Sequence, residues 1–92
     1  MKIVKISAIW CGACLIMNKV WNKLKDNYKF EDIELDLDMD EEDVKKYNPG
    51  TSIPLFIVFD GEKEVLRLTG EFSYDEFIEK LEEVGVVLEK NN

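Results

Sequence analysis

Ninety-two residues, 46% of them hydrophobic, 11% aromatic and 35% charged, are enough for one folded domain, residues 1–92, with a modest core. Twelve basic and twenty acidic residues leave a net charge of −8, which repels phosphate backbones and anionic lipid and argues against nucleic-acid or membrane partners. The acids between Glu31 and Asp43 are dense and the others scattered, so the charge reads as a solvated surface.

Along the chain, Lys2 to Ile9 reads as a strand. The first apolar run, Ile3 to Trp10, is interrupted by Lys5 and is too short for a signal or membrane helix, so a cytoplasmic protein is expected. Cys11 to about Tyr28 reads as a helix, with Ile16, Met17, Val20, Trp21 and Leu24 on one face. Phe30 to Leu37 alternates, Ile33, Leu35 and Leu37 on one side and Asp32, Glu34 and Asp36 on the other, as in a strand with one covered face.

A short helix is predicted over Glu41 to Tyr47, with Asp40 as its cap, acids in its first turn and Lys45 and Lys46 in its last. Asn48-Pro49-Gly50 ends it, Pro49 serving as a turn residue. Leu55 to Phe59 is continuously apolar and reads as a central strand. Asp60-Gly61 signals a hairpin into a strand over Glu64 to Thr69. Ser73 and Glu76 form a capping box for a last helix, with Tyr74, Phe77, Ile78, Leu81 and Val84 as its buried stripe and Gly85 at its end.

The order β-α-β-α-β-β-α combines one right-handed parallel crossover with one antiparallel hairpin. An α/β fold with a four-stranded mixed sheet and helices on both faces satisfies both.

The only two cysteines, Cys11 and Cys14, stand where the first strand hands over to the first helix. A closed zinc site needs four protein ligands, and the chain has one C-x-x-C pair and no histidine, so no metal is expected. A structural disulfide across so short a loop removes little unfolded-state entropy, and the cytosol keeps thiols reduced. Redox chemistry fits the position. Cys11 lies near the unpaired amides of the helix N-terminus, which favour a thiolate. Cys14, one turn on, is expected to face inward beside Met17 and Trp21 and to resolve a mixed disulfide on a partly exposed Cys11. No cofactor beyond a redox-active Cys11–Cys14 disulfide is required.

At this point the sequence resembles the thioredoxins. Trp10-Cys11-Gly12-Ala13-Cys14 matches their W-C-G-P-C centre with Ala13 in place of proline. Ser52-Ile53-Pro54 stands where they carry a cis-proline loop, and Gly61 and Gly70 match family glycines. The resemblance covers essentially the whole chain but lacks the N-terminal strand and helix of full-length thioredoxins, leaving the minimal fold that glutaredoxins also use. It implies a strand order of second, first, third, fourth, and a protein-disulfide reductase recharged by a thioredoxin-reductase-like donor and working as a monomer. It also implies that Trp10, Ile53, Pro54 and Gly70 meet the substrate, Ile53 by strand-like backbone pairing, while Gly12 and Ala13 shape the centre. Ala13 restores an N–H and some freedom between the sulfurs.

Three more positions depart from the family. Its buried aspartate is here Lys5, and the lysine of its neighbouring strand is here Glu34, so the pair looks charge-swapped and is expected to support the site. The shared faces of the two strands would be covered only in part by the short second helix. Lys19 replaces a helix-kinking proline, so the first helix should run straight. Three rival readings stay open: a glutathione-dependent glutaredoxin, although no C-P-Y-C centre is present, an electron carrier dedicated to one enzyme, and a non-catalytic binding module on the same scaffold.

Overall fold

A computed structural model describes residues 1–50 and 52–90. β1 (Lys2–Ser7) lies inside the sheet, so both of its faces are covered: Val4 and Ile6 enter one layer, Ile3 and Lys5 the other. α1 (Gly12–Asn27) follows as one unbroken helix with Cys11 as its N-cap.

Met17, Trp21 and Leu24 of the predicted stripe are buried and Val20 is half-buried, but Ile16 is 51% exposed. Ile16 lies about 100° round the helix from Met17. The series Cys14, Met17, Trp21, Leu24 already fills the strip that the sheet and the last helix can cover.

β2 (Tyr28–Lys29) and β3 (Glu31–Asp36) come next, β3 running parallel to β1 with Lys5 opposite Glu34. Ile33 and Leu35 are only half-buried because β3 is an edge strand. α2 (Glu41–Lys45) stops short of Tyr47. Asp40 occupies its N-cap position without capping it. Its Oδ2 accepts the amide of Asp36 at 2.8 Å instead, closing the loop after β3.

β4 (Leu55–Asp60) is antiparallel both to β1 and to β5 (Lys63–Thr69), giving the order β3-β1-β4-β5 that the resemblance implied. Asp60 pairs with Lys63, so the hairpin loop is Gly61-Glu62 rather than Asp60-Gly61, and Gly61 takes the positive φ of +65° that this turn needs. A register shift beside Val58 and Phe59 leaves Val65 as the extra residue of a bulge.

α3 (Tyr74–Glu83) has the predicted capping box, Ser73 Oγ accepting from Glu76 N and Glu76 Oε1 from Ser73 N. β6 (Glu89–Lys90) pairs with β2 in a two-stranded ribbon that no sequence pattern announced. α1 and α3 share the core on one face of the sheet, and Val44 of α2 packs on the other.

Candidate active site

The site lies where β1 ends and α1 begins. The Cys11 amide donates to the Ala8 carbonyl at 3.2 Å, folding the connection back so that Cys11 caps the helix. Cys11 Sγ accepts the Cys14 amide at 3.1 Å, a donor the helix leaves unpaired at this end. Cys11 and Cys14 form a disulfide with Cα atoms 5.2 Å apart.

Cys14 is 1% exposed, as an inward thiol should be, but Cys11 is only 7% exposed rather than partly open. In this oxidised state its sulfur is enclosed between the Cys14 amide and the Ile53 carbonyl, 3.8 Å away. Cys14 also keeps different company from that expected. It clusters with Ala8 and Cys11 against Ala13, Leu37 and Ile53, while Met17 and Trp21 belong to the main core.

The Ile53–Pro54 peptide is cis. Pro54 is buried, and its carbonyl accepts the Gly70 amide at 3.1 Å, tying this loop to the end of β5. Gly70 reaches that bond at φ +94°, a conformation a side chain would strain. Above Gly12 the space is open. Trp10 is 66% exposed and so is no core residue. Its indole Nε1 donates to Asp38 Oδ2 at 2.7 Å, which holds the ring in place, and Ile9 and Met39 are exposed apolar neighbours of this pair in sequence.

Lys5 and Glu34 meet across β1 and β3, Lys5 Nζ lying 3.6 Å from Glu34 Oε1. The expected cover was α2, but Lys5 points to the other face. It donates to Asn18 Oδ1 on α1 and lies 5.7 Å from the centre of the Trp21 ring. The alternation of β1 requires this, because Lys5 shares the face of Ile3, which sits in the α1–α3 core.

Burial pushes the Lys5 ammonium below its ordinary value, with the charge of Glu34 pulling back. Burial alone would raise the Glu34 carboxyl, but the hydrogen bond and charge of Lys25, joined by Lys5, leave it lowered. Neither Lys5 nor Glu34 hydrogen-bonds to Cys11 or Cys14 among the described residues.

Residues 1–83 match the family model "Thioredoxin". The chain belongs to the thioredoxin family. It is 36% identical over 70 residues to thioredoxin H2 of Arabidopsis thaliana, a stretch covering 74% of this chain and 51% of that protein, so it spans about half the length of this curated relative. Among solved structures it is similar to Fasciola hepatica thioredoxin, with 31% identity, a TM-score of 0.72 and 89% of this chain against 78% of that one. Thioredoxin 1 of Thermosipho africanus shares the fold at a TM-score of 0.76 and 24% identity, covering 90% and 92%.

Two residues of this thioredoxin-family site, and one of the frame around it, escaped the sequence reading. Asp38 lay in a dense acidic stretch that reads as surface, and its contact with Trp10 is 28 residues distant. Asn18 had a usable signal, since it stands four residues past Cys14 and so on the same helical face. Arg67 ties β5 to the segment after α2, donating to the carbonyls of Tyr47 and Asn48 at 2.8 and 3.0 Å, and nothing local in sequence predicts that. Among the described residues no three His, Cys, Asp or Glu side chains are grouped to hold a metal ion, and no helix is long and apolar enough to cross a membrane.

Proposed function

We propose that this chain is a single-domain thiol–disulfide oxidoreductase that reduces protein disulfides by dithiol exchange. The observation that carries the reading is the Cys11–Cys14 disulfide at the N-terminus of α1, with the outer sulfur on a helix amide and the inner one buried. Family membership supports the same reading. In the reduced protein Cys11, favoured as a thiolate by the helix end, attacks one sulfur of the substrate disulfide and expels the other as a thiolate. Cys14 then attacks Cys11 Sγ, the mixed disulfide breaks, and the second substrate sulfur leaves with its electron pair. Two electrons have passed to the substrate, and the Cys11–Cys14 disulfide awaits a two-electron donor of the thioredoxin-reductase kind.

Trp10, Ile53, Pro54 and Gly70 form the substrate-binding rim in this reading. The Ile53 carbonyl already lies at the sulfur, which supports pairing of an extended substrate segment along that backbone. Gly12 leaves open space beside Cys11, and Ala13 packs against the cluster that holds both cysteines. No cofactor beyond the disulfide is needed. A cytoplasmic monomer without nucleic-acid or membrane partners fits the strongly acidic composition.

Insulin-disulfide reduction, driven in parallel by a thioredoxin reductase or by glutathione, tests the reading. Turnover with the reductase is expected, and Cys14→Ser should stop it while accumulating a mixed disulfide on Cys11. Selective turnover with glutathione would favour a glutaredoxin. Absence of turnover by the parent protein with either donor would make it a binding module. In the reduced protein iodoacetamide should modify Cys11 well before Cys14, and equal rates would defeat the assignment of attacking and resolving roles.

A further inference from the structure

Lys5 is the buried charged side chain among the described residues, 5% exposed, and dithiol exchange as outlined makes no use of it. A lysine that merely covers apolar surface turns its head to water. This one ends in the seam between β1 and α1, on the amide oxygen of Asn18 and beside the Trp21 ring.

The charges around it are Glu34 and Asp32 from β3 and Lys25 from α1. Lys25 lies 3.0 Å from Glu34 Oε2 and 3.1 Å from Asp32, so Glu34 divides its charge between two cations. Two positive and two negative groups cancel in number but not in place. The side chains of Lys25, Asp32 and Glu34 are 39%, 20% and 45% exposed, where water screens them, while that of Lys5 is 6% exposed. The field reaching inward is therefore positive.

Asn18, which seats the ammonium, stands one helical turn past Cys14 on the same face of α1. The sulfur pocket itself is closed by Ala8, Ala13, Leu37 and Ile53, none of which titrates. Toward the sulfurs β3 runs out into Asp36 and Asp38. Their carboxylates are taken by the amides of Asp38 and Met39 and by the Trp10 indole.

Granted the dithiol exchange above, we propose that Lys5 is the electrostatic positioning residue of the resolving step: its buried ammonium, seated on Asn18 one turn beyond Cys14, converts Cys14 from thiol to thiolate for the attack on the mixed disulfide. The proton of Cys14 goes to water, the Cys14 sulfur bonds to Cys11 Sγ, and the substrate sulfur departs with the electrons of the broken bond. Lys5 keeps its proton throughout. A unit charge one turn and one side chain away, at an effective dielectric near 20, moves a thiol midpoint by about one pH unit.

Reaction of the reduced protein with 5,5′-dithiobis(2-nitrobenzoate), followed by stopped flow from roughly pH 5 to 10, separates the two steps, since attack and resolution each release one thionitrobenzoate. In Lys5→Met the midpoint of the second phase should rise by about one pH unit. Its rate at neutral pH should fall about threefold, because the more basic thiolate is also the better nucleophile. Above both midpoints the deficit should reverse, the variant's more basic thiolate being about threefold the faster. Lys5→Arg should keep the parent profile. Glu34→Gln, whose carboxylate is half in water, should fold and shift the midpoint down.

Uniform slowing at every pH, or unmoved midpoints in both Lys5→Met and Glu34→Gln, overturns the role of Lys5. Absence of any second phase in the parent protein would instead overturn dithiol exchange itself.

Discussion

Beneath α1 and α3 the sheet meets a chain of rings, Phe30 on Trp21 at 5.4 Å between centroids, Trp21 on Phe56 at 5.6 Å and Phe56 on Phe77 at 4.8 Å. Beneath α2 it meets Val44 with aliphatic partners, Val4, Ile6, Leu55 and Ile57, and one ring pair at the margin, Tyr47 on Phe59. The difference follows from the helices. α1 brings four buried side chains and α2 one, so only the first face has the span to hold large rings. It also decides where chemistry can be kept. A thiol pair must be held at a fixed height above the sheet, and α1 does this because Trp21 and Leu24 anchor its far end. Phe72 N adds a bond to Met17 Sδ at 3.2 Å.

The widest gap between the faces should appear on truncation. Trp21→Ala removes the ring that touches three others and should cost about 3–5 kcal/mol in urea denaturation. Val44→Ala, losing two methyl groups from the thinner face, should cost about 2 kcal/mol. Equal losses would mean that both faces carry the fold alike.

A smaller effect is expected where the thin face is tied to the sheet. Arg67 holds the Tyr47 and Asn48 carbonyls and pairs with Glu64 through both its Nε and Nη2. That hydrogen bond to Glu64 lifts the guanidinium above its ordinary value and lowers the carboxyl. The Arg67→Ala substitution should cost about 1 kcal/mol, and Arg67→Lys should not restore it, because an ammonium cannot fork to carboxylate and carbonyls together. Full rescue by lysine would reduce Arg67 to a point charge.

The same contrast explains what could be read from the sequence. Elements with a local signature were legible: the apolar run of β4, the Ser73–Glu76 box, and the cysteine pair at a strand-to-helix junction. Their determinants lie within a few residues. Ile16 misled because a helical stripe read from spacing is wider than the strip its neighbours cover. Asp40 misled because its side chain had a competing donor, the Asp36 amide, that position alone does not reveal. The ribbon of β2 and β6 joins two-residue segments some sixty positions apart, too short for any periodicity. In the site, Cys11 and Cys14 followed from sequence, whereas the seating of Lys5 on Asn18 needed the register of β1 against α1.

The smallest effect should lie in the pH dependence of stability, and it separates the charged cluster on the α1 side from the rest of the acidic surface. Glu34 is lowered from 4.5 in the folded protein, so its contribution is present above that pH and is lost as pH falls through the lowered folded value. Lys5 is lowered from 10.5, so below 10.5 there is a window in which the unfolded chain binds more protons than the folded one. Stability gains from Lys5 as pH rises through that window. Lys25 is raised from 10.5, and its contribution persists to 10.5 and fades as pH climbs through the raised folded value. Glu34→Gln should therefore flatten the acid limb below about pH 4.5, and Lys5→Met should remove the alkaline rise that precedes the loss from Lys25. Substituting Glu41, which is largely in water and among the described residues pairs with Lys45 alone, at 3.9 Å, should leave both limbs unchanged. Urea midpoints measured across pH for the three variants decide the matter. A Glu34→Gln acid limb superimposable on that of the parent would show that Glu34 is one more solvated acid, leaving Lys5 with Asn18 as its structural partner.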